Sequence, residues 1–135
     1  MKLIIAKPSP YARKVRIVLH EKGIKFEEQV DLPWSPGAMV SNINPLGKVP
    51  VLIPGDGNPI YESSVIIESL ETFGNEPKLI PIEPIRRVRV RQIEALADGI
   101  ADAVVLITIE KHRVKMAQSI DWISRQQTKI DAGIA

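Results

Sequence analysis

A serine at the start of a predicted helix is the first residue in this sequence that could do chemistry. Ser9-Pro10-Tyr11-Ala12 differs from the redox tetrapeptide Cys-Pro-Tyr-Cys at both ends, and the 135-residue chain contains no cysteine. That absence excludes disulfides, thiolate metal sites and a cysteine nucleophile. Serine before proline is typical of a helix start, so Ser9 either caps the helix or donates its hydroxyl to an anion that the helix dipole also favours.

Two later stretches combine polar groups with special backbone positions. Val49-Pro50 begins a predicted strand, where an edge proline is tolerated. Glu62-Ser63 opens a predicted helix, whose N-terminus favours an anion, although Ser63 or Ser64 can equally be a plain N-cap. Lys48 offers a cation beside the first stretch, or it is a solvated surface lysine.

The hydrophobic pattern predicts an α/β fold followed by helices. In the first part, short apolar runs alternate with one strongly periodic helix, and a Gly-Asp-Gly-Asn turn joins the last two strands. Strands that flank a helix should be parallel, and the hairpin strands antiparallel. The predicted order is β-α-β-α-β-β-α with a mixed sheet: strand 3–6, a helix from Ser9 to a cap at Gly23 with the apolar face Ala12, Val15, Val18 and Leu19, strand 26–32, a short helical turn at 38–42, strands 49–53 and 59–61, and a helix 62–73 ended by Gly74-Asn75.

The composition divides the chain into two domains. Residues 1–75 carry the strand-containing pattern, and the Pro-rich residues 76–84 are predicted to be a linker. Residues 85–135 are predicted to form the start of an all-helical domain, with helices at about 85–113 and 116–132. We therefore predict an α/β domain followed by an all-α domain.

Several partner classes are disfavoured by the sequence. The net charge is +2 and aromatic residues make up 4%, so neither nucleic acid nor an anionic membrane is expected. Although residues 86–91 hold four arginines, acidic residues follow on the same helix, which favours a solvated face or a subunit contact. The two histidines lack ligand-spaced company, so no metal site is expected. No run has the roughly 18 apolar residues of a membrane span, and the expected location is cytoplasmic.

Taken together, these motifs resemble the glutathione transferase family, and the chain is identified as a serine-type, bacterial member. The first part is similar to the family's thioredoxin-like domain, and residues 85 onward are similar to its all-helical second domain, which usually continues well past this length. The local matches are Ser9-Pro10-Tyr11-Ala12 with Arg13 and Arg16, residues 44–52 (NPLGKVPVL), Glu62-Ser63, and residues 95–103 (ALADGIADA).

The resemblance implies that the chain acts on the thiol of glutathione, its co-substrate. The catalytic residue would be Ser9, donating a hydrogen bond to the sulfur; since an N-cap oxygen accepts from the backbone, the capping role is expected to compete. Glutathione would also be bound by Lys48 at its glycyl carboxylate, by the backbone of Val49 before a cis Pro50, and by Glu62 and Ser63 at its γ-glutamyl end. Tyr11 and Trp34 are possible pocket residues, with helix packing and loop packing as their alternatives.

Function and partners are inferred from the same resemblance. The implied reaction is transfer of glutathione to a small, largely apolar electrophile, as in detoxification, by a protein that is a homodimer in the family. Peroxidase, dehalogenase and disulfide-reductase variants of thiolate chemistry are not separated by the sequence. The alternative is a non-catalytic interaction or regulatory protein of the same fold.

Overall fold

The computed structural model describes residues 1–73 and 76–135, and these divide into two compact units, Met1–Ile80 and Pro81–Ala135. The predicted helix end at Gly74-Asn75 lies outside the described residues. The elements of the first unit are β1 (Lys2–Ile5), α1 (Pro10–Glu21), β2 (Glu27–Val30), a 3-10 turn (Val40–Asn42), β3 (Val51–Ile53), β4 (Ile60–Tyr61) and α2 (Ser63–Thr72). The second unit contains α3 (Pro84–His112), a 3-10 turn (Lys115–Ala117) and α4 (Ile120–Ile134).

The four strands form one mixed sheet in the order β2-β1-β3-β4. β1 and β2 are parallel, whereas β3 is antiparallel to both β1 and β4. The predicted thioredoxin-like fold class, including the parallel first pair and the hairpin, is confirmed. Because α1 supplies the crossover that parallel strands need, its first turn lies at the carboxyl end of β1.

β1 is buried on both faces of the sheet, as its continuous apolar sequence predicts. Leu3 and Ile5 belong to the larger core cluster, which contains the inward faces of α1 and α2. Ile4 points to the opposite face, where it packs in a smaller cluster with Val40 and Val51. The predicted apolar face of α1 is confirmed, since its buried residues are Ala12, Val15, Val18 and Leu19.

Three predicted elements differ from the structure. The helical turn expected at 38–42 is a three-residue 3-10 turn at Val40–Asn42. The second strand is shorter than predicted, and it lies at the edge of the sheet with all four of its residues exposed. β3 begins at Val51 rather than at residue 49, since Pro50 has no N–H to donate to a neighbouring strand.

A buried ion pair joins the ends of α1 and α2. The Lys22 side chain is fully buried, and its Nζ lies 2.9 Å from Glu71 Oε1. Lys22 Nζ also donates to the Pro77 carbonyl at 3.0 Å, and the Leu79 N–H donates to Glu71 Oε1 at 3.3 Å. The pair thus ties residues 77–80 to the two helices, and Ile80 completes the larger core cluster.

The second unit is a helical pair with little apolar burial. α4 returns along α3: the Ser119 N–H donates to Glu110 Oε1 at 2.7 Å, and a Cβ at Gly133 would lie 2.8 Å from Ile100 Cδ1. In the described part of this unit the buried apolar side chains are Ala103 and Ile107. No helix within residues 1–73 and 76–135 combines the length and the apolar character needed to cross a bilayer.

Replacing Lys22 by Met is expected to destabilise the protein by about 3 kcal/mol, because it leaves the Glu71 carboxylate without its cation. The double variant Lys22→Met/Glu71→Leu should recover much of that loss, since no charge remains buried. Chemical denaturation of both variants measures the effect. Lys25→Met, at an exposed position four residues beyond the end of α1, is the control, and equal stability of the Lys22 and Lys25 variants would contradict a stabilising role for the Lys22–Glu71 pair.

The same pair makes stability depend on pH. Burial raises the pKa of Glu71. Hydrogen bonds from Lys22 and Leu79, together with the charge of Lys22, lower it by more than burial raises it, so the pKa lies below its usual 4.5. A lowered native pKa means that the stabilisation is complete above about pH 4.5 and is lost as the pH falls through the native value. The stability of the wild-type protein should therefore fall more steeply in acid than that of Glu71→Gln. Parallel unfolding profiles of the two proteins against pH would contradict this.

Candidate functional site

The strand register brings four loops to one edge of the sheet. Ile4 pairs with Val51, so the carboxyl end of β1 lies beside the start of β3. Val51 in turn pairs with Tyr61, so the end of β4 lies at the same edge. Since β1 and β2 are parallel, the loop after β2 begins there as well. Ser9, Trp34, Val49-Pro50 and Glu62-Ser63 all lie in the segments that meet at this edge.

Ser9 is the N-cap of α1. Its Oγ accepts from the Ala12 N–H at 3.2 Å, and its own N–H donates to the Ala6 carbonyl at 2.9 Å. A serine hydroxyl has two acceptor lone pairs and one proton. Capping uses a lone pair and leaves the proton, so the competition expected from the sequence between capping and donation to a ligand does not arise.

Val49-Pro50 has a cis peptide bond. Pro50 is buried, and Val49 is partly buried against the smaller core cluster. The residues before it form a tight loop, in which a ligand-binding role was predicted from the sequence for Lys48 but not for Asn44. Its centre is Asn44, which is 2% exposed, and Gly47 adopts a left-handed conformation with φ of 60°.

Glu62 and Ser63 form the entry to α2. Glu62 is the N-cap and has φ of 72°, while no side chain caps the first turn of the helix. The interpretation of Ser63 or Ser64 as a plain N-cap is therefore wrong. Both hydroxyls instead donate to Glu62 Oε1, at 3.2 and 3.4 Å. A non-glycine residue with positive φ costs about 1–3 kcal/mol and is typical of functional sites.

The remaining candidates differ in exposure. Lys48 is exposed and forms no ion pair with any described residue. Trp34 is 72% exposed, so it does not pack the loop from inside. The loop itself is held by Asp31, whose Oδ2 accepts from the Met39 N–H at 2.9 Å. Tyr11 is partly buried in the first turn of α1.

The edge offers complementary charges to a small zwitterion. The first turns of α1 and α2 present the positive ends of two helix dipoles, Glu62 supplies a carboxylate, and Lys48 supplies a cation. Across residues 1–73 and 76–135, no three metal-ligating side chains are grouped as a metal site would need. The two helix N-termini, the Glu62 carboxylate and the Lys48 ammonium are suited to a small ligand that carries both negative and positive groups.

Comparison with known proteins gives the family. The model of the glutathione S-transferase N-terminal domain matches residues 8–72, the stretch that holds all four loops. Among curated proteins, the GST-like protein YibF of Escherichia coli K12, described as uncharacterized, is 42% identical over 99% of this chain and 66% of its own length. The chain thus spans about two thirds of that relative.

Solved structures agree with this result. A glutathione S-transferase from Methylobacillus flagellatus with glutathione bound has a TM-score of 0.93 and 41% identity, over 98% of this chain and 66% of its own. A glutathione transferase family member from Pseudomonas fluorescens Pf-5, also with bound glutathione, has a TM-score of 0.89 and 35% identity, over 98% of this chain and 67% of its own. The chain belongs to the glutathione transferase family.

Proposed function

We propose that this chain binds reduced glutathione at the sheet edge and activates its thiol for attack on a small, largely apolar electrophile. The observation that carries the proposal is the meeting of the capped start of α1, the Val49-Pro50 loop and the uncapped start of α2 at one edge. The M. flagellatus and P. fluorescens relatives, which have the same fold, were solved with glutathione bound.

Each end of glutathione finds a group of opposite charge. The γ-glutamyl carboxylate accepts from the N–H groups of the first turn of α2, where the dipole of that ten-residue helix favours a negative charge. It also accepts from the Ser63 hydroxyl, whose single proton turns from Glu62 to the ligand. The γ-glutamyl ammonium pairs with the Glu62 carboxylate, which the Ser64 hydroxyl orients. Lys48 neutralises the glycyl carboxylate, and the Val49 backbone pairs with the cysteinyl peptide unit.

Ser9 acts on the sulfur. The thiolate is the nucleophile, and a free thiol with a pKa of about 8.5 is only slightly ionised at neutral pH. The hydroxyl proton that capping leaves free donates to the thiolate, and the N-terminus of α1 stabilises the same charge. Both effects lower the pKa of the bound thiol.

A second candidate is a non-catalytic interaction protein of the same fold. It is favoured by the apolar surface of the second unit, where Val88, Ile93, Val114, Met116 and Ile120 are each more than half exposed. Such a surface is typical of contact with other polypeptide. A cytoplasmic location, a role in detoxification and the choice among transferase, peroxidase, dehalogenase and disulfide-reductase chemistry stay predictions.

Replacing Ser9 by Ala should raise the pKa of the bound glutathione thiol by about one pH unit, because it removes one hydrogen bond to a charged sulfur. Ultraviolet absorbance of the thiolate, followed against pH at saturating glutathione, measures this. Ser9→Thr is the matched control, since it keeps the cap and the hydroxyl proton, and it should titrate as the wild-type protein does. The role of Ser9 is refuted if the alanine variant binds glutathione and titrates at the wild-type pH.

We also propose that the chain forms a homodimer through α3, on the side that carries Arg87 and Arg91. Sedimentation equilibrium should then give about twice the 15.0 kDa of one chain. Arg87→Glu/Arg91→Glu should be monomeric, because the introduced glutamates would repel the acidic groups of the second copy with which the arginines are proposed to pair. Arg86→Glu/Arg89→Glu carries the same charge change on another side of the helix and should remain dimeric. An unchanged mass for the Arg87/Arg91 variant would contradict the proposed interface.

A further inference from the structure

The buried amide of Asn44 organises the loop that leads into Val49-Pro50. Its Nδ2 donates to the Lys48 carbonyl at 2.9 Å, and its Oδ1 accepts from the Leu46 N–H at 3.0 Å. Its own backbone N–H donates to the Val40 carbonyl at 2.8 Å, and its carbonyl accepts from the Gly47 N–H, also at 2.8 Å. One side chain thus fixes both halves of the loop from the protein interior.

The bond to the Lys48 carbonyl also sets the direction of the next N–H group. The Lys48 carbonyl and the Val49 N–H belong to the same peptide unit, which is trans because the cis bonds of the described chain are Val49-Pro50 and Glu76-Pro77. In a planar trans unit the C=O and N–H point in opposite directions. With its carbonyl turned inward to Asn44, this unit turns the Val49 N–H outward.

The Val49 N–H has no hydrogen-bond partner within residues 1–73 and 76–135. It precedes β3, so no strand neighbour accepts from it. Backbone donors are otherwise almost always paired, with protein or with water. A donor that is oriented from behind and left open at the sheet edge is suited to a ligand.

We propose that Asn44 is a positioning residue for ligand binding: it aims the Val49 N–H at a carbonyl oxygen of a bound peptide. This rests on the proposed function, which supplies glutathione as the peptide and its cysteinyl residue as the acceptor. Asn44 does not touch the ligand; it acts through the Lys48–Val49 peptide unit.

The two side-chain hydrogen bonds of Asn44 require an amide. It must donate to one backbone group and accept from another, and an asparagine amide does both with one short side chain. An aspartate has the same shape but no donor, and its carboxylate would face the Lys48 carbonyl oxygen. Asn44→Asp therefore releases the Lys48–Val49 unit while it keeps the bond to Leu46.

The test is amide NMR of the wild-type protein and Asn44→Asp during titration with reduced glutathione. In the wild-type protein the Val49 and Ser63 resonances should both shift on binding. In the variant the Ser63 resonance should still shift at higher ligand concentration, the Val49 resonance should shift much less, and binding should be about tenfold weaker. Asn42→Asp, at an exposed position two residues away, is the control and should behave as the wild-type protein does.

The outcomes separate the two proposals. If glutathione shifts neither resonance in the folded wild-type protein, the proposed function fails and the inference fails with it. If the wild-type protein binds and the Val49 resonance of the variant shifts fully at unchanged affinity, only the positioning role of Asn44 is overturned. A general loss of structure would instead weaken the Ser63 response in parallel. Should Asn44→Asp fail to fold, Asn44→Ser replaces it, because its shorter side chain also loses the bond to Lys48.

Discussion

The antiparallel register of β3 against β1 is the constraint on which the site depends. Ile4 opposite Val51 places the start of β3 at the carboxyl end of β1, and the hairpin then returns β4 to the same edge. A slip of one residue would turn Val51 and Leu52 to the wrong faces of a sheet that is buried on both sides. The two core clusters therefore hold the register, and the register holds Ser9, Val49 and Glu62 together.

At this edge the fold uses some hydrogen-bonding groups of Ser9, Asn44 and the start of α2 and leaves others open to a ligand. Ser9 caps α1 with a lone pair and retains a proton. Asn44 satisfies buried backbone groups from inside and thereby leaves the Val49 N–H open outside. Glu62 takes a strained conformation at a helix start that lacks a side-chain cap, so the donors of the first turn stay available. In each case, the group that a ligand needs is the one that the fold does not use.

The local pattern predicts those elements whose signal is contained in a few neighbouring residues. The face of α1, the hairpin turn and the serine cap are of this kind. The pair of Lys22 and Glu71 has no such local signal, because the two residues are 49 positions apart along the chain and the sequence around one does not identify the other as its partner. A signal was present, however: Lys22 continues the spacing of Val15 and Leu19, which places it on the buried face of the helix.

The site was predicted less completely than the fold. Resemblance to a family indicates which residues lie near a ligand, but it does not show how the backbone presents them. The role of Asn44 depends on which way a peptide unit faces, and the φ of Glu62 depends on the path between β4 and α2. Neither the role of Asn44 nor the φ of Glu62 follows from residue type, since an asparagine or a glutamate in a loop is usually a solvated polar residue.

Calorimetric titration of the folded chain with reduced glutathione measures whether the sheet edge binds this ligand. We expect saturable binding with micromolar-to-millimolar affinity. Binding should weaken in Glu62→Gln, which removes the charge that meets the γ-glutamyl ammonium, and persist in Glu27→Gln, at an exposed position on the edge strand. A folded chain that takes up no glutathione would contradict the proposed site, and the meeting of these loops would then be a property of the fold alone.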